Sequence, residues 1–171
     1  MTSSPVEEIP PPVQQAGAAT ALPAPSPAGG GFSGGLTLSV RIQPGTARVG
    51  DSLTVDIAAA SPTAVVDAPL HLLYDPALLR FLDASEGDYM RKDGFATVFL
   101  ANGRSRPGDV TIGIGRTDRS RGAGGSGTLC RVRFEVLAQG TARISIGPAL
   151  AWAVDGSLVP VTTNAAEIRI P

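Results

Sequence analysis

Few groups in this chain have the type and spacing that chemistry requires. The run Gly-Ala-Gly-Gly-Ser-Gly-Thr at 122–128 is superficially like a phosphate-binding loop. It lacks the Gly-Lys-Ser/Thr ending, however, and it precedes a predicted strand where such loops precede a helix. The chain has one histidine, His71, and one cysteine, Cys130, so it can form neither a Cys/His zinc site nor an internal disulfide. The glycine run is therefore predicted to be a flexible loop between strands.

The acidic residues do not indicate catalysis either. Glycosidase chemistry needs two carboxylates held roughly 5–10 Å apart, and the spacing of Glu86 and Asp88, or of Asp109 and Asp118, enforces no such convergence. The acidic glycine turns also lack the ligand pattern of a calcium-binding loop. We predict that the chain is not an enzyme and that it has no metal site and no cofactor.

Charge and hydropathy exclude two further classes of function. The formal net charge is −1, with 14 basic and 15 acidic residues interspersed, so no general field attracts nucleic acid or anionic lipid. No segment approaches the roughly 20 apolar residues of a membrane span, which predicts no membrane insertion. One basic cluster interrupts the even spacing. It is predicted to be a solvated loop region, with contact to an acidic partner as the alternative, and consists of Arg104, Arg106, Arg116, Arg119 and Arg121.

The elements that would position any site are strands. From Leu36 onward apolar and polar residues alternate, most clearly in Thr-Leu-Cys-Arg-Val-Arg-Phe-Glu-Val-Leu, which places Cys130 on the inner side as a buried, inert thiol. The pattern predicts about nine strands, loops at 61–67 and 116–127, and no helix longer than about two turns. This spacing favours an all-β fold, an antiparallel β-sandwich.

Composition divides the chain into two parts. Residues 1–35 hold seven of the 15 prolines and six of the 21 glycines, with no hydrophobic periodicity. They are predicted to be a disordered Pro/Gly-rich linker, and residues 36–171 a single domain. The first residues also lack the positive and apolar regions of a secretory signal. We expect a piece of a larger exported protein, in the extracellular space or the cell envelope (periplasm or outer membrane).

The order of the segments resembles the cohesin family, sandwich modules that bind dockerins in cellulosome scaffolds and other bacterial surface proteins. The similarity is in Arg-Val-Gly-Asp-Ser-Leu-Thr-Val-Asp-Ile-Ala-Ala at 48–59, in the stretch 68–88 with its Tyr-Asp-Pro break, in Gly-Asp-Val-Thr-Ile-Gly-Ile-Gly at 108–115, and in 125–146. The resemblance implies a nine-stranded jelly roll with one sheet face that binds a protein partner, a dockerin-like module or an envelope or secretion component. The same sequence style, after a Pro/Gly linker, looks like the C-terminal extensions of some secretin-type or pilus-associated envelope proteins.

The resemblance also implies where the partner would bind. Dockerin-binding cohesins typically carry an Asn and an Asp two residues apart near the strand before Tyr-Asp-Pro, and here those positions are Asp67 and Pro69, so the usual pair is not retained. By alternation the same face is expected to offer further contacts, with Phe99 as the hydrophobic anchor. The expected partner-binding residues are Asp67, His71, Leu73, Thr97, Phe99 and Thr111.

Two other functions stay open. Related sandwiches include carbohydrate-binding modules linked to polysaccharide degradation, which stack sugars on coplanar aromatic rings. Aromatic residues are only 5% of this chain, and Trp152, Tyr74 and Tyr89 fall in different segments, so a flat sugar platform is poorly supplied. The second alternative is a structural assembly domain of a secretion or pilus system, which would bind copies of itself.

Overall fold

The computed structural model describes residues 34–171, so the linker predicted over 1–35 lies outside the described residues apart from Gly34 and Gly35. The described part is all β. It has eleven strands and no helix. The strands are β1 Leu36–Gln43, β2 Ser52–Asp67, β3 Leu70–Leu73, β4 Leu79–Glu86, β5 Thr97–Asn102, β6 Asp109–Arg116, β7 Ala123–Val136, β8 Gly140–Ala149, β9 Trp152–Ala153, β10 Val161–Thr163 and β11 Ala165–Ile170.

The strands form the two layers of a jelly-roll sandwich. One layer has the order β10-β1-β2-β7-β4, and the other has the order β5-β6-β3-β8-β11. The end of β2 crosses between the layers and pairs with β6 and β9. The β1–β10 pairing is parallel, and every other strand pairing of residues 34–171 is antiparallel. The predicted antiparallel sandwich is confirmed.

The strand count differs from the nine predicted. The additional short strands are β9 and β10, which lie in the segment after Ala149 where the sequence does not alternate. Two predicted loops are also wrong. Residues 61–67 continue β2, and β7 begins at Ala123, inside the glycine-rich run.

Both corrections have a local physical cause. β2 continues past Pro62 because its pairing with β7 shifts register between Ser61 and Val65, and a bulge there accommodates a residue that cannot donate to the ladder. The Ser61 hydroxyl donates to the Thr63 carbonyl at 2.8 Å and accepts from its amide at 3.1 Å. Strand pairing uses backbone groups, so the glycines at the start of β7 can also pair. Gly125 lies opposite Ser61, and Ser126 lies opposite Ala60.

The core lies between the two layers. Alternate residues of β1, β2 and β7 point inward, and Leu36, Ile57 and Phe134 are fully buried. The Phe134 ring packs against Tyr74, with centroids 4.8 Å apart, and against Phe81, with centroids 6.3 Å apart. Each such side chain contributes roughly 1.5–3 kcal/mol on burial, which makes this shared interior the main source of stability.

Cys130 lies in that interior, as the alternation predicted. It is fully buried on β7. Burial raises the pKa of the Cys130 thiol to about 12, and the nearby carboxylate of Asp56 adds to the shift. The thiol is therefore protonated at neutral pH and shielded from reagents.

Candidate partner-binding face

The outer surface of β5, β6, β3 and β8, here called the front face, carries exposed apolar side chains above glycines. Leu100 and Val98 of β5 lie opposite Gly113 and Gly115 of β6. Directly opposed residues of an antiparallel pair share a face, and glycine offers no side chain to cover its neighbour. Leu100 is therefore 68% exposed and Val98 50% exposed. This corner of the sheet is flat and apolar.

The centre of the front face is polar. His71 of β3 lies opposite Thr111 of β6, and its Nδ1 is 2.9 Å from the Asp109 carboxylate. Asp109 also lies 3.8 Å from Arg106 and is largely buried, whereas the His71 side chain is 37% exposed. Leu73, opposite Asp109, is exposed. The imidazole edge and the leucine thus stand at the surface while the carboxylate beneath them fixes the ring.

A third group stands where β2 joins this layer. Asp67 pairs with Gly115 on one side and with Trp152 of β9 on the other. A Cβ at Gly115 would lie 2.8 Å from Asp67 Oδ1 and 3.2 Å from the Val66 carbonyl oxygen, so a larger residue there would displace the carboxylate. The carboxylate is 3.6 Å from Arg119, and Trp152 is half-buried. The front face therefore extends from β5 across Asp67 to Trp152.

The structure brings four of the expected site residues together on the front face: Asp67, His71, Leu73 and Thr111. The expected outward placement of the other two is wrong. Thr97 lies opposite buried Arg116, and Phe99 lies opposite Ile114 and packs against the core. Both parities of β5 carry apolar residues, so alternation within that strand does not define its outer side.

Val98 and Leu100 are the residues that the sequence analysis missed on this strand. A signal for them was available in the neighbouring strand. In β6, Ile112 and Ile114 alternate with Gly113 and Gly115, which marks the isoleucine side as the core side. Pairing β5 with β6 in the observed register then places the leucine outward.

The opposite outer surface, of β1, β2, β7 and β4, is the back face, and the charges of β7 and β4 on it are paired between strands. Arg131 donates to Asp56 at 3.0 Å, Arg133 donates to Asp83 at 3.1 Å, and Arg80 pairs with Glu135. These ion pairs connect adjacent strands and cover the sheet between them. Exposed pairs of this kind add little stability, but they leave no apolar patch comparable to the one on β5.

The basic cluster divides into two environments. Arg104, Arg106, Arg119 and Arg121 are exposed, as predicted, but Arg116 is buried, which corrects the prediction of a wholly solvated cluster. Arg116 belongs to the inward parity of β6, and its guanidinium donates to Asp93 at 2.6 and 3.1 Å and to the Met90 carbonyl at 2.9 Å. It also lies 4.9 Å from the Phe95 ring centroid. Arg116 therefore anchors the segment between β4 and β5.

Asp93 responds to this pairing. Desolvation opposes its ionisation, but the hydrogen bonds and charge of Arg116, together with hydrogen bonds from the backbone amides of Asp93 and Phe95, outweigh that effect, and the pKa of Asp93 lies below its ordinary value. The pair is charged at neutral pH.

Other types of site are not supported by the described residues. Within 34–171, no group of three or more His, Cys, Asp and Glu side chains is arranged to hold a metal ion. Tyr74 and Tyr89 are buried, and every other aromatic side chain of residues 34–171 is at least half-buried, so no sugar-stacking platform is visible there. No helix among these residues is long and apolar enough to cross a membrane.

Solved structures with the same fold include cohesins. A type II cohesin domain from the cellulosome of Acetivibrio cellulolyticus matches with a TM-score of 0.67 and 19% identity, over 78% of this chain and 95% of that one. A non-cellulosomal cohesin from the archaeon Archaeoglobus fulgidus matches with a TM-score of 0.64 and 22% identity, over 80% and 91%. The sixth cohesin of scaffoldin B from A. cellulolyticus, solved with a mutant Cel5 dockerin, gives 0.64 and 19%, over 80% and 99%.

Sequence comparison gives the family. No curated protein matches the chain. The family model described as Cohesin domain matches residues 38–170, which is nearly the whole of the described region and well over half of the chain. Domains of this family are protein–protein binding modules that bind dockerins in homologues of this chain. With the jelly-roll sandwich and its uncovered front face, this match shows that the chain belongs to the cohesin family.

Proposed function

We propose that the front face is a non-catalytic docking surface for a dockerin-like module or another protein of the cell surface. The observation that carries the proposal is the contrast between the two outer faces. Leu100 and Val98 of β5 are exposed opposite glycines of β6 on the front face, whereas ion pairs between β2, β7 and β4 cover much of the back face. Solved relatives of low identity include a cohesin bound to a dockerin, which supports a protein partner.

The geometry suits rigid association. A sheet face needs little backbone movement to bind, which limits the entropic cost of association, and a standard interface buries about 800 Å² per partner. Hot spots cluster where large side chains become fully desolvated. Leu100, at 68% exposure, has the most area to lose, so it replaces Phe99 as the proposed anchor.

The polar residues would define register and specificity. Because the His71 Nδ1–H donates to the Asp109 carboxylate, the other ring nitrogen, Nε2, of the neutral imidazole can accept a hydrogen bond from a partner. Thr111 and Asp67 offer a hydroxyl and a carboxylate on either side, and Leu73 extends the apolar contact. We propose Asp67, His71, Leu73 and Thr111 as the partner contacts that surround the β5 anchor.

A charge at the anchor should test the proposed face. Leu100→Asp places a carboxylate where a partner would bury a leucine, and we expect affinity to fall by at least about tenfold. The probe is a set of purified dockerin modules from the source organism, measured by isothermal titration calorimetry with the full chain. Ser85→Asp, on the back face opposite Arg131, is the matched control.

The outcomes separate the candidate functions. Binding that survives Ser85→Asp and is lost in Leu100→Asp supports the front face, and equal binding by both variants contradicts it. Retention of the wild-type chain on insoluble cellulose or chitin, abolished by Trp152→Ala, would instead favour a polysaccharide ligand.

We also propose that the module is exported and tethered. The Pro/Gly-rich composition of 1–35 supports a linker to an upstream domain, such as one of the secretin or pilus type in the envelope, which would raise the effective concentration of the module near its partner. Protease treatment of intact cells, followed by detection with an antibody against the domain, tests exposure at the surface. If the protease cleaves the domain neither in intact cells nor in their periplasmic fraction, the proposed export is contradicted.

A further inference from the structure

The free edges of the two layers differ in how they are protected. A free edge presents unpaired backbone groups, and proteins blunt it with short strands, charges, prolines or bulges. Strands β9 and β10 have only two and three residues. β4 carries a register shift between Phe81 and Asp83 and three charged residues, and β11 carries Glu167 and Arg169. β5 has six residues, no charge, no proline and no register shift against β6.

The pairing of β5 with β6 shows which backbone groups it leaves free. The Thr117 amide donates to the Ala96 carbonyl at 3.1 Å, so the hydrogen-bonded pairs continue at Val98, Leu100 and Asn102. The alternate residues, Thr97, Phe99 and Ala101, direct their N–H and C=O groups away from β6. Within residues 34–171 these six groups have no backbone or side-chain partner.

An open groove lies beside this edge. β4 and β5 are neighbouring edges of opposite layers and do not pair with each other. The groove between them has a volume of about 420 Å³, and half-buried Phe81 and Phe99 line it together with Ala101. A strand added to β5 would satisfy the free groups and cover these rings.

We propose that this strand is β5 of a second copy of the chain, paired antiparallel about a two-fold axis. The register that places Phe99 opposite Phe99 of the second copy uses every free group. Thr97 and Ala101 then pair with Ala101 and Thr97 of the second copy, and the three residue pairs exchange their N–H···O=C bonds. On the front face, Val98 of each copy lies beside Leu100 of the other.

Two charged residues near the ends of β5 are compatible with this occupant. Asp93 precedes the strand and Arg104 follows it, and an antiparallel mate brings each toward the opposite charge of the second copy. Arg104 makes no ion pair with another described residue, and the Asp93 side chain is 46% exposed. The strand is therefore self-complementary in its free backbone groups and in its side chains, as an isologous interface requires. The pairing does not depend on the proposed docking function.

Sedimentation velocity of the full chain tests the proposal, between about 5 and about 200 µM. We expect a concentration-dependent dimer. Ala101→Pro removes an outward N–H, and therefore two bonds of the symmetric pair, without touching a bond to β6. It should weaken the dimer at least about tenfold. Ala101→Val, which keeps the N–H and adds a β-branched side chain, should leave the dimer intact.

Hydrogen exchange of the wild-type chain gives a second test that needs no variant. Amides 97, 99 and 101 should become more protected as concentration rises, whereas amides 98, 100 and 102, already bonded to β6, should not change. A chain that stays monomeric over the whole range overturns the proposal. So does a dimer that protects other amides and is insensitive to Ala101→Pro.

Discussion

Arg116 is a charged residue on the inward side of β6, and its contribution to stability depends on its hydrogen-bond partners. Its side chain is 1% exposed and donates to Asp93 and to the carbonyls of Met90 and Arg121. Without the guanidinium these two carbonyls would lose a donor in a site that water does not reach freely. A buried charge that is fully bonded in this way acts as a clamp on the segment before β5.

Replacing this clamp should destabilise the domain. For Arg116→Met we expect a loss of about 2–4 kcal/mol in the free energy of unfolding, because the orphaned carbonyls and the lost ion pair outweigh the gain in apolar packing. Urea denaturation followed by fluorescence measures it. Arg119→Met removes an exposed guanidinium 3.6 Å from Asp67 and should cost less than about 1 kcal/mol. Equal losses in the two variants would mean that the Arg116 network contributes no more than a surface pair.

At the scale of elements, the close contact between β4 and the segment after β5 depends on Gly103, which has no side chain. A Cβ at Gly103 would lie 2.5 Å from Phe81 Cγ, inside the ring's contact distance. Phe81 in turn packs edge-on against Phe134 of β7. Gly103 therefore lets the β4 edge close onto the core.

Adding that carbon should force the ring to move. We expect Gly103→Ala to lower the free energy of unfolding by about 1–3 kcal/mol, the usual cost of overpacking. Gly45→Ala is the matched control, since a Cβ there meets nothing within 4 Å, and its effect should stay within about 0.5 kcal/mol. Thermal melts of both variants compare their stabilities. A melting temperature of Gly103→Ala equal to that of the control would show that the Phe81 ring moves aside without destabilising the domain.

The individual strands also show how far the sequence could predict this fold. Alternation identified β1, β6 and β8 because one parity in each carries the large apolar residues and the other does not. It failed in β5, where Val98, Phe99 and Leu100 are consecutive apolar residues and only the partner strand determines which side faces inward. It also failed at Ala123, where the glycines that predict a loop instead pair with β2. The β5 residues of the candidate site were misplaced for that reason, whereas those of β3 and β6 were not.

At the scale of the whole molecule, Cys130 offers a probe of cooperativity. It lies in the middle of β7, which pairs with β2 on one side and β4 on the other, and it is fully buried. Both its burial and the pKa of about 12 keep the native thiol from reacting. A thiol reagent can reach it only when β7 separates from a neighbour.

The dependence of labelling on urea then shows how large that opening is. We expect the free energy of opening from Cys130 labelling to equal the global free energy of unfolding, with the same urea slope, because β7 carries the central register of its layer. The measurement is the rate of modification by a chromogenic disulfide at several urea concentrations, compared with equilibrium denaturation. A smaller slope for labelling would mean that the β4 edge opens by itself while the rest of the sandwich stays folded. In that case the proposed dimer should suppress labelling only if it covers β4 as well as β5. The two experiments together therefore define how much of this side of the sandwich moves as a unit.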